Sequence, residues 1–173
     1  MANLIAYYSR KGENYWADSI KNLAKGNTER VAEFVQYAVG DLFEIETVEQ
    51  YAADYYECIE EAKAELRAGA RPEIALSLVD AGLNMADYDT IFLGYPNWWG
   101  ICPMCVFTFL EHYDLSGKRI VPSCTNEGSG MGGSEKCLER ICAGVTVELG
   151  LSITGNQATR SQGKVAAWAK KFV

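Results

Sequence analysis

At 173 residues, with 49% apolar side chains and only four prolines, the chain is long enough to bury a sizeable core unaided, which excludes extensive disorder. Its formal net charge of −7 argues against nucleic-acid backbones and anionic membranes as partners and favours basic proteins or small molecules. The N-terminus shows no signal-peptide pattern and no run has the length of a membrane span. Six cysteines without repeated spacing, beside a single histidine, argue against a disulfide framework or a zinc site. The expectation is one cytoplasmic domain over residues 1–173, with no membrane insertion.

Residues 4–8 form a continuous apolar and aromatic run, the pattern of a strand buried on both faces of a parallel sheet. Residues 11–25 follow, in which Trp16, Ile20 and Leu23 recur at helical spacing, so a short helical excursion is expected there. From Thr28, the apolar residues Val31, Ala32, Phe34, Val35, Ala38 and Val39 predict a helix, with Glu29 in its first turn and Gly40 as its stop. Residues 41–48 alternate as a half-exposed edge strand does, and residues 54–68 carry the pattern of an amphipathic helix.

Residues 71–87 have no strong period and contain a turn at Ala81 and Gly82. Next come a buried strand over 90–95 and a short helix over 106–112 that ends at His112, a cation suited to a helix C-terminus. A strand is expected over 118–124, although Pro122 donates no ladder bond. A glycine-rich loop over 128–133, a helix over 134–143, a strand region over 145–153 and a helix over 162–172 complete the chain. Strand and helix alternating five times predict a parallel sheet covered on both sides.

In a doubly wound sheet of order 2-1-3-4-5, ligands bind beyond the carboxyl ends of the first and third strands. The loops that leave those strands and the fourth carry the chemistry. Ser9 and Arg10 follow the first strand, and Gly26-Asn27-Thr28 opens the first long helix, whose unpaired N–H groups suit a phosphate. Pro96, Asn97, Trp98, Trp99 and Gly100 follow the third strand, and two adjacent indoles in such a loop fit either the wall of a pocket for a flat ligand or a plug at the end of the sheet. Thr125, Asn126, Glu127, Gly128 and Ser129 follow the fourth. The formal GxGxxG at Gly128, Gly130 and Gly133 is a weak dinucleotide signal, because that motif belongs after a first strand. Cys102-Pro103-Met104-Cys105 is a CxxC at a helix start, which fits either a redox-active pair or two small residues seating the helix.

Taken together, these three ordered segments resemble the flavodoxin-like family, specifically its bacterial branch with a Trp-Trp loop. The resemblance implies a three-layer α/β/α sandwich around a five-stranded parallel sheet of order 2-1-3-4-5, and a noncovalently bound FMN. It implies that Ser9, Arg10, Asn27 and Thr28 hold the phosphate, although residues 11–25 interrupt the compact phosphate loop of ordinary flavodoxins and leave open which of Arg10, Lys11, Glu13 or Asn14 touches it. The isoalloxazine would lie between Pro96, Asn97, Trp98, Trp99 and Gly100 on one side and Thr125, Asn126, Glu127, Gly128 and Ser129 on the other. It further implies electron transfer to redox partner proteins, which an acidic surface would steer if they are basic. An NAD(P)H-dependent reductase of flavins, quinones, nitro or azo compounds would use the same site, and a binding module of the same fold would need no catalysis.

Overall fold

The computed structural model describes residues 2–173. The chain runs β1 (Ala2–Tyr7), β2 (Gly12–Trp16), β3 (Ser19–Leu23), α1 (Asn27–Val39), β4 (Asp41–Glu44), α2 (Tyr55–Ala68), β5 (Tyr88–Pro96), α3 (Met104–His112), β6 (Arg119–Asn126), α4 (Ser134–Ile141), β7 (Thr146–Val147), β8 (Leu151–Thr154) and α5 (Gln162–Ala169). Among the described residues no helix is long and apolar enough to cross a membrane.

The main sheet has the order β4-β1-β5-β6-β7, with β8 also paired to β6, and every pairing in it is parallel. This is the expected 2-1-3-4-5 arrangement, except that two short strands share the fifth place and the sheet has six strands instead of five. The interruption explains how Pro122 fits in a central strand. Ile120 O accepts a bond from Glu148 N at 2.9 Å, so Pro122, two residues further on, points its main chain to the same side. β7 pairs with Arg119 and Ile120 while β8 starts at Ser123, and the missing donor falls in the gap between them.

The two faces of the sheet are filled by alternating side chains. Leu4, Ala6, Ile91, Leu93 and Tyr95 pack with Val106, Phe109 and Leu138 of α3 and α4 on one side. Ile5, Tyr7, Phe92 and Val121 pack with Val31, Val35, Val165 and Trp168 of α1 and α5 on the other. Each fully buried aliphatic side chain contributes about 1.5–3 kcal/mol, and this burial holds the strand ends at fixed spacing. α2 is attached more lightly. Asp54 Oδ1 caps it by accepting from Glu57 N at 2.9 Å, and only Cys58 and Ala62 are buried along its length.

Residues 11–25 are not helical. Most of them form the antiparallel hairpin of β2 and β3, in which Tyr15 faces Ile20 and Trp16 faces Ser19. The two turn residues, Ala17 and Asp18, have φ of 44° and 68°, the pattern of a type I′ turn, whose twist matches that of the strands. Spacing of three and four residues among Trp16, Ile20 and Leu23 fits a helix, but the hairpin satisfies the same backbone across strands. The edge strand is also shorter than the expected 41–48, with Thr47 making an isolated bridge to Ile74.

Placing non-glycine residues in the left-handed region costs about 1–2 kcal/mol each. Ala17→Asn combined with Asp18→Gly is therefore expected to raise the protection of hairpin amides in native-state hydrogen exchange by about 1 kcal/mol. Unchanged or reduced protection would mean that the turn is not of this type.

Candidate functional site

The carboxyl ends of three strands stand side by side, since Tyr7 pairs with Gly94 and Pro96 with Thr125. The head of α1 returns against them. Ser9 Oγ accepts from Glu29 N at 3.0 Å, supplying the cap that Gly26 lacks, while its own hydroxyl proton remains available to another acceptor. A methyl group on Gly26 would overlap Ser9 Oγ and lie 2.7 Å from Arg10 O, so only glycine permits this approach. Thr28 and Thr125 share a buried bond between hydroxyls at 2.8 Å that ties α1 to β6. Asn27 is buried, and its Oδ1 has no hydrogen-bond partner.

After β5, Trp98 N donates to Ile101 O at 2.9 Å, closing a turn in which Trp99 and Gly100 have φ of 56° and 90°. This turn sends the two indoles in different directions. Trp98 meets Tyr8 and Tyr51 edge-on, with centroids at 5.3 and 5.0 Å, and edge-to-face pairs of this kind are worth about 0.5–1.5 kcal/mol each beyond burial. Trp99 is half exposed and turned to α2, where its Nε1 donates to Ile59 O at 3.1 Å and Lys63 Nζ lies 5.2 Å from its ring centroid. Asn97 joins this loop to the next. Its main-chain N donates to Thr125 O at 2.9 Å, its Nδ2 donates to Gly130 O at 2.9 Å, and its Oδ1 accepts from Gly100 N at 2.9 Å.

The glycine-rich loop after β6 is internally bonded. Asn126 Oδ1 accepts from Gly128 N at 2.9 Å and from Gly130 N at 3.0 Å, so two of the amides that a phosphate-binding glycine motif would offer are already used. Gly132, at φ 57°, lies so close to Gly100 O that any side chain would overlap it, and Gly133 N donates to the same oxygen at 2.8 Å. Glu127 reaches the tip of the hairpin, where its Oε2 accepts from Ala17 N at 3.3 Å. Burial pushes its carboxyl above the usual range, opposed by N–H groups of Ala17 and Gly155.

These loops enclose a crevice of about 250 Å³ between Pro96, Asn97 and Trp98 on one side and Thr125, Asn126, Glu127 and Ser129 on the other, with Asn27 at the α1 end. Of the remaining expected residues, Ser9 and Thr28 brace the head of α1, and Gly100 and Gly128 hold turns. Arg10 donates from Nε to Glu13 O at 3.0 Å and from Nη2 to Ala53 O at 2.9 Å, fastening the first loop to the head of α2. Trp99 does not line this crevice. Asn14 and Tyr15 of the hairpin, Tyr55 of α2 and Gly155 after β8 do line it; Asn14 is one of the residues left open for the phosphate, and sequence reasoning did not find the other three. The Tyr55-Tyr56 pair beside the helix cap Asp54 was the signal available for one of them. The hairpin is fastened over the crevice by Glu13 Oε2, which accepts from Tyr55 N at 2.7 Å, and by the Tyr15 and Tyr55 rings, 6.1 Å apart.

The CxxC pair is packing. Cys102 and Cys105 have no exposed surface and are not disulfide-bonded, and burial raises both thiols well above their usual range. A thiolate at the helix start would need solvent or a cation beside it, and neither residue has that surrounding.

The sequence profile of the flavodoxin family matches residues 17–172. The crystal structure of a proposed flavoprotein from Bacteroides uniformis is 29% identical, with a TM-score of 0.75 over 98% of this chain and 97% of that one. Another proposed flavoprotein, from Bacteroides eggerthii, is 28% identical, with a TM-score of 0.74 over 98% and 96%. A flavoprotein in complex with FMN from Lactobacillus acidophilus is 20% identical, with a TM-score of 0.64 over 94% and 98%, a likeness of fold alone. No curated protein matches the sequence.

Removing the Asn97 amide breaks two bonds in one half-buried place. Asn97→Ala is expected to cost about 1–3 kcal/mol in urea unfolding and to speed amide exchange at Gly100 and Gly133, and unchanged exchange there would refute the coupling of the loops. Because all six cysteines are free and buried, a thiol reagent at pH 8 is expected to react with none of them quickly in the native chain and with all six after denaturation. Fast native labelling of Cys102 or Cys105 would contradict their packing role.

Proposed function

The chain belongs to the flavodoxin family, and from that premise we propose that it binds FMN noncovalently and transfers electrons through it. The observation that carries the reading is Asn27. It is buried at the head of α1, lines the crevice, and has a side-chain oxygen without a donor among the described residues, an uncommon arrangement that a ligand in the crevice would complete. A ribityl hydroxyl is such a donor. The Ser9 hydroxyl stands at the head of α1, bonded by Glu29 N and with its own proton available to an acceptor, so the residues present fit the phosphate as well.

In this reading the first-turn N–H groups of Asn27 and Thr28 and the Ser9 hydroxyl take the phosphate, and the helix dipole favours its charge. Arg10, placed on the same loop, adds positive potential. Pro96, Asn97 and Trp98 face one side of the ring system, and Thr125, Asn126, Glu127 and Ser129 the other, with Gly100 and Gly128 shaping the two loops. FMN, when bound, supplies reversible uptake and release of electrons. The protein excludes water with Trp98, whose electron-rich face disfavours added negative charge beside it, and the net charge of −7 steers basic redox partners.

The purified protein is expected to be yellow, or to become so on reconstitution with FMN, and a protein that stays colourless in excess FMN overturns the reading. Trp98→Ala is expected to weaken FMN binding by about 1–3 kcal/mol, and Trp99→Ala by less than about 1 kcal/mol, because only Trp98 lines the crevice. Equal losses would contradict this assignment. Anaerobic NADPH without an added reductase is expected to leave the colour nearly unchanged, and rapid bleaching would identify a reductase in place of a carrier.

A further inference from the structure

A second compartment, of about 210 Å³, adjoins the crevice and shares Asn14, Tyr55, Asn97 and Trp98 with it. It lies where α2, which buries only Cys58 and Ala62, passes the Trp loop. Cys58, Ile59 and Ala62 line it from α2 and Trp98 and Trp99 from the loop after β5, and Trp99 Nε1 bonds Ile59 O where the two meet. Both indoles are fixed, Trp98 by Tyr8 and Tyr51 and Trp99 by its bond to Ile59 O, so the space does not depend on a mobile side chain.

Its electrostatics differ from those of the molecule as a whole. In a chain of net charge −7, this compartment has no carboxylate in its lining, and its one charged residue is Arg10. Arg10 uses Nε on Glu13 O and Nη2 on Ala53 O, which orients the guanidinium and leaves other N–H donors for a ligand. Lys63, beside Trp99, is paired with Glu60 at 3.8 Å, so Arg10 supplies the net positive charge. Glu13, next to Asn14, lies outside the lining with its Oε2 on Tyr55 N, and burial pushes the Cys58 thiol up to about 11, so the Cys58 wall is uncharged.

We infer that this compartment binds a planar aromatic molecule of one or two rings that carries an anionic group, seated between Trp98 and α2 with its charge toward Arg10. A cavity of about 150 Å³ holds one benzene, so a space of about 210 Å³ suits one or two rings. The inference rests on the cofactor reading only in placing this ligand beside FMN. Its binding is a separate matter.

The probe is 1,4-naphthoquinone-2-sulfonate, titrated into the FMN-saturated protein and into the protein without FMN, with the neutral 1,4-naphthoquinone and the cationic 1-methylquinolinium as comparisons. The sulfonate is expected to bind at one site, about tenfold more tightly than the cation, with an affinity that FMN changes by less than about threefold. Ile59→Trp, which fills the compartment from a position outside the cofactor crevice, is expected to weaken the sulfonate at least about tenfold while leaving FMN affinity unchanged. No binding, equal binding of anion and cation, or displacement of the probe by FMN overturns the inference. Should Ile59→Trp fail to fold, the charge series and the FMN competition on the unaltered chain decide it. A chain that binds the sulfonate but not FMN would overturn the cofactor reading and leave this one standing.

Discussion

The Asn97 side chain is the connection on which the ligand-facing end of the molecule depends. Parallel pairing places Pro96 beside Thr125, but it ends there, and two long loops then leave the sheet without a ladder between them. Asn97 spans that gap with its amide, bonding Gly130 of one loop and Gly100 of its own, and Gly133 returns a bond to Gly100. Each such bond contributes only about 1 kcal/mol net, yet together they make two loops into one wall. The position of Trp98 follows, since its main chain is held between Asn97 and the turn that Gly100 allows.

The opposite side of the crevice is built differently. The β2–β3 hairpin carries almost no buried apolar surface, with Tyr15 and Ile20 both exposed, and it is held by polar contacts: Glu13 to Tyr55 N, Arg10 to Ala53 O, and Glu127 to Ala17 N. Segments with few buried contacts open at low free energy. The crevice therefore has one wall stapled to the sheet core and one cover held by surface contacts, the Tyr15 and Tyr55 rings among them. α2 lies between these extremes, capped and regular but lightly buried, with the second compartment between it and Trp98.

Much of this architecture was legible along the chain because buried strands and amphipathic helices write their environment into local pattern. The apolar runs at residues 4–8 and 90–95 became β1 and β5, and the helical spacing from Val31 to Val39 became α1. The topology that follows from alternating strands and helices put the crevice at the right strand ends. Residues 11–25 were not legible, because Ala17 and Asp18 are poor markers of a type I′ turn and the spacing of Trp16, Ile20 and Leu23 satisfies a helix equally well. The divided fifth strand was announced only by Pro122 in its neighbour, and that proline was read as a weakness of its own strand.

The site divides in the same way. Sequence by itself determined the fold class, the three loops and the residue types they present, since each depends on local periodicity and on residues adjacent in the chain. The tertiary structure alone decided that Trp98 and Trp99 part company, that Tyr15 and Tyr55 join the crevice, and that Cys102 and Cys105 are sealed in the core. Each of these outcomes rests on contacts or packing among residues distant in the chain, such as Trp99 with Ile59 across 40 positions or Glu13 with Tyr55 across 42. A hydrogen bond of that kind leaves no period in the sequence, because either partner alone is compatible with many others until packing brings the two together.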